Sequence, residues 1–94
     1  MPDTPAVRHH AAENRYEIAI EGHLAVAEYV MQEGKQVFTH TLVPPELRGR
    51  GLAEALVRTA LNDARAAGRR VVPQCSYVER FIQRNKEYQS LLAE

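Results

Sequence analysis

Tyr16, Ile18 and Ile20 alternate with Glu17, Ala19 and Glu21, the period of a half-buried β-strand. Glu21-Gly22-His23 then supplies a turn. Leu24 to Met31 is apolar at nearly every position except Glu28, which predicts an interior strand covered on both faces. Glu33-Gly34-Lys35 fits a hairpin tip, and Gln36 to Val43 returns as the next strand. A shorter strand is predicted around Val7 to His10, turned into the second by Glu13-Asn14-Arg15.

The period then changes. Leu52, Leu56, Ala60 and Ala64, flanked by Ala53, Val57 and Leu61, fall at helical spacing, while Glu54, Arg58, Asn62, Asp63 and Arg65 take the other face. Gly68 stops this helix in the usual C-terminal position. Val71-Val72-Pro73 follows as a short strand, and the helix between it and Gln36–Val43 makes a parallel crossover the natural connection. Ser76-Tyr77-Val78-Glu79 fits a capping box with Ser76 as N-cap, and Val78, Phe81 and Ile82 form the buried stripe of a second helix. Tyr88, Leu91 and Leu92 suggest a last helical turn or two after a break near Asn85-Lys86. The expected order is β-β-β-β-α-β-α with a short terminal helix, an α/β (α+β) fold with a mixed sheet. No repeat or linker divides residues 1–94, so a single domain is expected.

Charge and composition narrow the function classes. Twelve basic residues against twelve acidic ones leave no net charge, which argues against a general nucleic-acid binder. No stretch approaches the ~20 apolar residues of a membrane span, and Met-Pro-Asp-Thr-Pro lacks the pattern of a signal peptide, so a cytoplasmic protein is expected. One cysteine, Cys75, excludes an internal disulfide and a zinc cluster.

The junction between the fourth strand and the first helix holds the densest chemistry. Val43-Pro44-Pro45-Glu46-Leu47-Arg48-Gly49-Arg50-Gly51-Leu52-Ala53 packs two arginines and two glycines at a helix start. First-turn N–H groups and the positive end of the helix dipole attract an anion, and glycines let the backbone approach it closely. Arg48 and Arg50 add planar, bidentate donors. This is a recipe for gripping a phosphate.

Arg48-Gly49-Arg50-Gly51-Leu52-Ala53 also fits the pattern Gln/Arg-x-x-Gly-x-Gly/Ala, and in its strand-to-helix context it resembles the acyl-CoA loop of the GNAT superfamily of N-acetyltransferases. The likeness runs over roughly residues 7 to 92. It is nearest to the very small, single-domain GNAT-like proteins, whose signature is similar to Val43, Pro44, Arg48, Gly49, Gly51, Leu52 and Ala53 followed by Cys75-Ser76-Tyr77 after the fifth strand. The resemblance implies acetyl-CoA or CoA as acyl-donor substrate, its pyrophosphate on the backbone of Arg48 to Ala53. Its pantetheine arm would pair with Val43 in a splay between the fourth and fifth strands. It also implies acetyl transfer to an amine of a small molecule or protein. The chain departs from larger members in lacking the helices between the first two strands that build the acceptor site. Ile82 stands where many carry a tyrosine acid, which displaces that role toward Tyr77 or Tyr88.

Acetyl transfer from a thioester requires an unprotonated nucleophile, oxyanion stabilisation and a proton for the departing thiolate. Cys75, at a strand end just before a helix, is a candidate for a covalent acetyl intermediate. The competing reading is a small buried packing residue. His40, on the strand that leads into the loop, is the best-placed imidazole, or else a sheet-surface histidine. His9 and His10 read as solvated, Glu28 as a cleft carboxylate or an outward-facing one, and Tyr29, Tyr77 and Tyr88 as packing aromatics. Two functions stand side by side: an acetyl-CoA-dependent N-acetyltransferase, and a CoA-binding module with little catalysis. An open sheet edge on so small a core also permits weak self-association.

Overall fold

The alternation at Tyr16, Ile18 and Ile20 places all three toward the interior of a five-stranded sheet, the first two wholly buried. The structure, a computed structural model, describes residues 6–93, so Met1 to Pro5 and Glu94 lie outside it. Strands β1 (Arg8–His10), β2 (Arg15–Ile20), β3 (His23–Gln32) and β4 (Lys35–Leu42) form an antiparallel meander, and β5 (Arg70–Pro73) joins β4 in parallel. The sheet order is that of the chain. Glu21-Gly22 and Glu33-Gly34 form the two-residue tips of the β2–β3 and β3–β4 hairpins with positive φ at all four residues, the twist that tight hairpins favour.

Helix α1 (Leu52–Ala67) connects β4 to β5 and buries Leu52, Leu56, Val57, Ala60, Leu61 and Ala64 against the sheet. Gly68 ends it at φ 70, donating to Arg65 O at 3.1 Å, while Arg69 N–H reaches back to Ala64 O at 2.9 Å in a Schellman arrangement. Helix α2 (Ser76–Arg84) buries Val78, Phe81 and Ile82, and a 3₁₀ segment, Lys86–Leu91, follows with Tyr88 and Leu91 inside. Tyr16 hydroxyl donates to Asp63 at 2.8 Å and Tyr88 hydroxyl to Asn62 at 2.8 Å, so both phenols anchor on α1.

Both helices pack on the same sheet face, because their buried residues form one cluster with Tyr16, Ile18, Ala25, Ala27, Tyr29 and Phe38. This corrects the expectation that β3 is covered on both faces. It is flanked by β2 and β4, but Leu24 and Val30 on its other side are 39% and 37% exposed. A continuous apolar run reads as a doubly covered strand, whereas here its outer positions are sheltered only by side chains of neighbouring strands.

Two further corrections concern polar groups. The Ser76–Glu79 capping box does not form. Cys75, not Ser76, is the N-cap, because its carbonyl already accepts the first helical bond from Glu79 N–H at 3.0 Å. His9 and His10 are not simply solvated. The His9 ring stacks on Tyr16 at 4.1 Å and its Nε2 is hydrogen-bonded to the Tyr29 hydroxyl at 2.6 Å, and His10 Nδ1 lies 3.0 Å from Glu17.

Candidate functional site

The loop before α1 is built to leave donors free. Gly49 and Gly51 both take positive φ, 83 and 77, and Gly51 occupies the N-cap with no capping side chain. The first backbone bond across the junction runs from Ala55 N–H to Gly51 O at 3.1 Å. The N–H groups of Gly49 to Glu54 therefore have no backbone acceptor among the described residues. A serine or aspartate at Gly51 would have satisfied some of them internally. Left open beside the positive end of the α1 dipole, they are the kind of donors an anion takes.

Of the residues expected from the sequence to hold a donor, Val43, Arg48, Gly49, Gly51, Leu52 and Ala53 line a single cavity of about 230 Å³. Leu47, Glu54 and Tyr77 complete its wall. Arg50 faces elsewhere, forming a bidentate pair with Glu21 at 2.9 and 3.4 Å that ties the loop to the β2–β3 hairpin. That pairing holds the Glu21 carboxyl below its ordinary value. Arg48 bends back, its Nε donating to Val43 O at 3.3 Å. One guanidinium thus props the loop and the other covers the carbonyl just past the end of β4.

The splay between β4 and β5 begins at Phe38. Phe38 pairs with Pro73, and Cys75 N–H still donates to Phe38 O at 2.8 Å, but the β5 chain then turns through Gln74 into α2. Pro73 has no N–H to give the ladder, and Gln74 N–H bonds back to Val72 O at 3.1 Å. Beyond this point the side of β4 that faced β5 carries no strand.

A bulge in β4 decides which side chains meet there. Tyr29 pairs with Phe38 and Glu28 with His40, so Thr39 is an extra residue in β4. It restores Thr41 to the helix-covered face and sends His40 to the open one. Thr41 Oγ1 lies 3.6 Å from Cys75 Sγ, with the thiol partly buried against the core. The His40 side chain is 75% exposed and its Nδ1 stands 3.7 Å from Glu28 Oε1. Cys75 and His40 are therefore on opposite sides of the β4 strand and are not partners. Thr41, Leu47 and Glu54 were not anticipated from the sequence; alternation along β4 would have indicated Thr41 only if the bulge had been visible.

The tyrosines separate cleanly. Tyr88 is buried and committed to Asn62, while Tyr77 is 39% exposed and lines the cavity. Burial pushes the Tyr77 phenol above its ordinary value of 10.0, so it stays protonated through neutral pH and is able to donate.

Comparison with known proteins places this arrangement. A family model described as GCN5-related N-acetyl-transferase matches residues 15–91. The fold is similar to the NMR solution structure of a GCN5-like candidate N-acetyltransferase from Staphylococcus aureus, with a TM-score of 0.74 over 94% of this chain and 87% of that one, at 22% sequence identity. At that identity the likeness speaks to the fold.

Proposed function

Because this chain belongs to the GCN5-related N-acetyltransferase family, we propose that it binds acetyl-CoA at the Arg48–Ala53 loop and transfers the acetyl group to an amine. The carrying observation is the run of unpaired N–H groups from Gly49 to Glu54, presented by two glycines of positive φ beside a cavity that reaches Val43 and Tyr77. In this reading the whole chain is one acyl-CoA-binding unit. The pyrophosphate takes the loop N–H groups, and the pantetheine arm adds to β4 beyond Phe38, where β5 has turned away. Arg48 releases the Val43 carbonyl as the arm arrives.

Chemistry follows from the two sides of β4. The amine, freed of its proton, attacks the thioester carbon; the C–S bond breaks, and the CoA sulfur leaves as a thiol with a proton from Tyr77. His40, beside Glu28 on the open face, is the base that takes the proton from the incoming ammonium. Alternatively Cys75 accepts the acetyl group first, releasing CoA, and the amine then attacks the acetyl-cysteine. The position of the thiol on the covered face, next to Thr41, supports a donor-side role. The opposite-facing His40 favours a second reading, a CoA-binding module with little turnover, since no imidazole attends the thiol.

Calorimetric titration with acetyl-CoA, CoA and a short RNA tests the binding step, and turnover with a panel of amines tests the chemistry. Absence of acetyl-CoA binding would sink the proposal; binding without turnover on any amine leaves the module reading. An adduct of about 42 Da, the mass of an added acetyl group, that disappears in Cys75→Ala marks the covalent route.

A further inference from the structure

The donor cavity does not end at the loop. Its Glu54 and Tyr77 wall is shared with a second cavity of about 270 Å³ between α1 and α2, lined also by Arg80, Phe81, Arg84 and Asn85. The side chains there fall into two kinds. The aromatic wall consists of Tyr77 and Phe81, whose ring centroids lie 6.4 Å apart. Arg80 and Arg84 are exposed on successive turns of α2, and among the described residues neither guanidinium has an ion-pair or hydrogen-bond partner.

The neighbouring charges are already spent. Glu54 is the acidic group in this cavity, and it is held by Arg58 at 2.9 Å, whose guanidinium in turn lies 5.2 Å from the Phe81 ring centroid. A third cavity also leaves the loop, along α1 toward Val7, but its one cation is this same Arg58. Of these three cavities that meet the loop, the α1–α2 one is where cations without a partner among the described residues line the wall.

We infer that Arg80 and Arg84 form an anion subsite for the 3′-phosphate on the nucleoside end of the acyl donor, so that the protein distinguishes CoA from dephospho-CoA. The inference rests on the donor reading above and adds a specificity to it. A phosphate monoester carries close to two negative charges at neutral pH, and arginine meets it with paired, charge-assisted donors. Removing that phosphate leaves the pyrophosphate grip at Gly49–Glu54 untouched but abandons two cations.

Titration of the full chain with CoA and with dephospho-CoA at low ionic strength tests it. CoA is expected to bind roughly 10- to 100-fold more tightly, the effect of one to two charge-assisted contacts. In Arg80→Ala combined with Arg84→Ala the two ligands should converge to within about threefold, a loss of one to two such contacts. Arg80→Lys with Arg84→Lys, which keeps the charges, should retain part of the difference, and circular dichroism checks that α2 is intact. Equal affinity of the native chain for the two ligands overturns the inference while the donor reading stands. A preference that survives the double alanine change overturns the residue assignment. If neither ligand binds, the donor site and the subsite fall together.

Discussion

Replacing Gly51 by alanine separates what the loop does for folding from what it does for a ligand, because the same helix carries its own control. Gly51 at the start of α1 and Gly68 at its end both adopt left-handed backbone, φ 77 and 70, and a methyl group placed on either meets no protein atom within 4 Å. Neither substitution clashes inside the chain, so each costs only the left-handed penalty of ~1–2 kcal/mol. For a domain of this size that lowers Tm by roughly 4–16 °C, and by similar amounts at the two positions. Binding separates them. The Gly51 methyl would stand on the wall of the donor cavity, where an anion has to reach the N–H groups of Gly49 to Glu54. Displacing even one charged hydrogen bond costs ~1.5–3 kcal/mol, so Gly51→Ala should weaken CoA about 10- to 100-fold while Gly68→Ala leaves it unchanged. Gly51→Asn, which tolerates left-handed backbone better, should recover part of the stability without the affinity. Thermal melts and calorimetry on the three variants give the answer. If Gly51→Ala binds CoA like the native chain, or Gly68→Ala loses affinity to the same degree, close backbone approach is not what the glycine provides.

Other outcomes follow from contacts already described. Tyr77→Phe should lower kcat for amine acetylation about 100-fold, the usual size of a general-acid contribution, with little change in acetyl-CoA affinity; unchanged kcat would move the proton donor elsewhere. His40→Ala should lower kcat/KM for the amine and alter its pH profile while leaving acetyl-CoA affinity intact, and a loss of donor binding instead would refute its placement on the acceptor side. Glu17 accepts from Arg15 at 2.6 Å and lies 3.0 Å from His10, and these partners, Arg15 first, hold its carboxyl below the ordinary 4.5. A depressed carboxyl stabilises the fold above the unfolded value and loses that contribution as pH falls through the folded one, so Glu17→Gln should flatten the stability profile below about pH 4.5. A native-like acid limb in that variant would assign the acid sensitivity to other groups. Arg50→Ala should loosen the loop's tie to the β2–β3 hairpin, read as faster amide exchange at Gly49–Leu52; equal exchange rates would show that the Glu21 pair does not restrain it.

Much of this molecule is readable residue by residue, and the limits have physical causes. Turn chemistry is local, so Glu21-Gly22, Glu33-Gly34 and Gly68 mark the element ends they occupy. Helical and strand periods are local too, and they place Leu56, Leu61, Tyr16 and Ile18 inside. What stays hidden depends on partners distant in the chain. The inserted Thr39 is recognisable only against its opposite strand, and it alone decides that His40 points away from Cys75. The start of α2 depends on where β5 stops, one residue before a capping box at Ser76 would need it. His9 looks like a solvated terminal residue until Tyr16 and Tyr29 are folded beneath it.

The sheet runs in chain order, and this has a consequence for how the donor site comes into being. β1 to β4 close through tight turns, so their pairings can zip from neighbour to neighbour with little loop entropy. Joining β4 to β5 is the long closure between strands, and it spans the whole of the loop and α1. A nascent chain released before β5 docks has the meander but no splay and no fixed helix start. Under the proposed function, donor recognition would belong to the last-formed part of the fold, and a bound donor should act mainly by slowing unfolding rather than by hastening the meander.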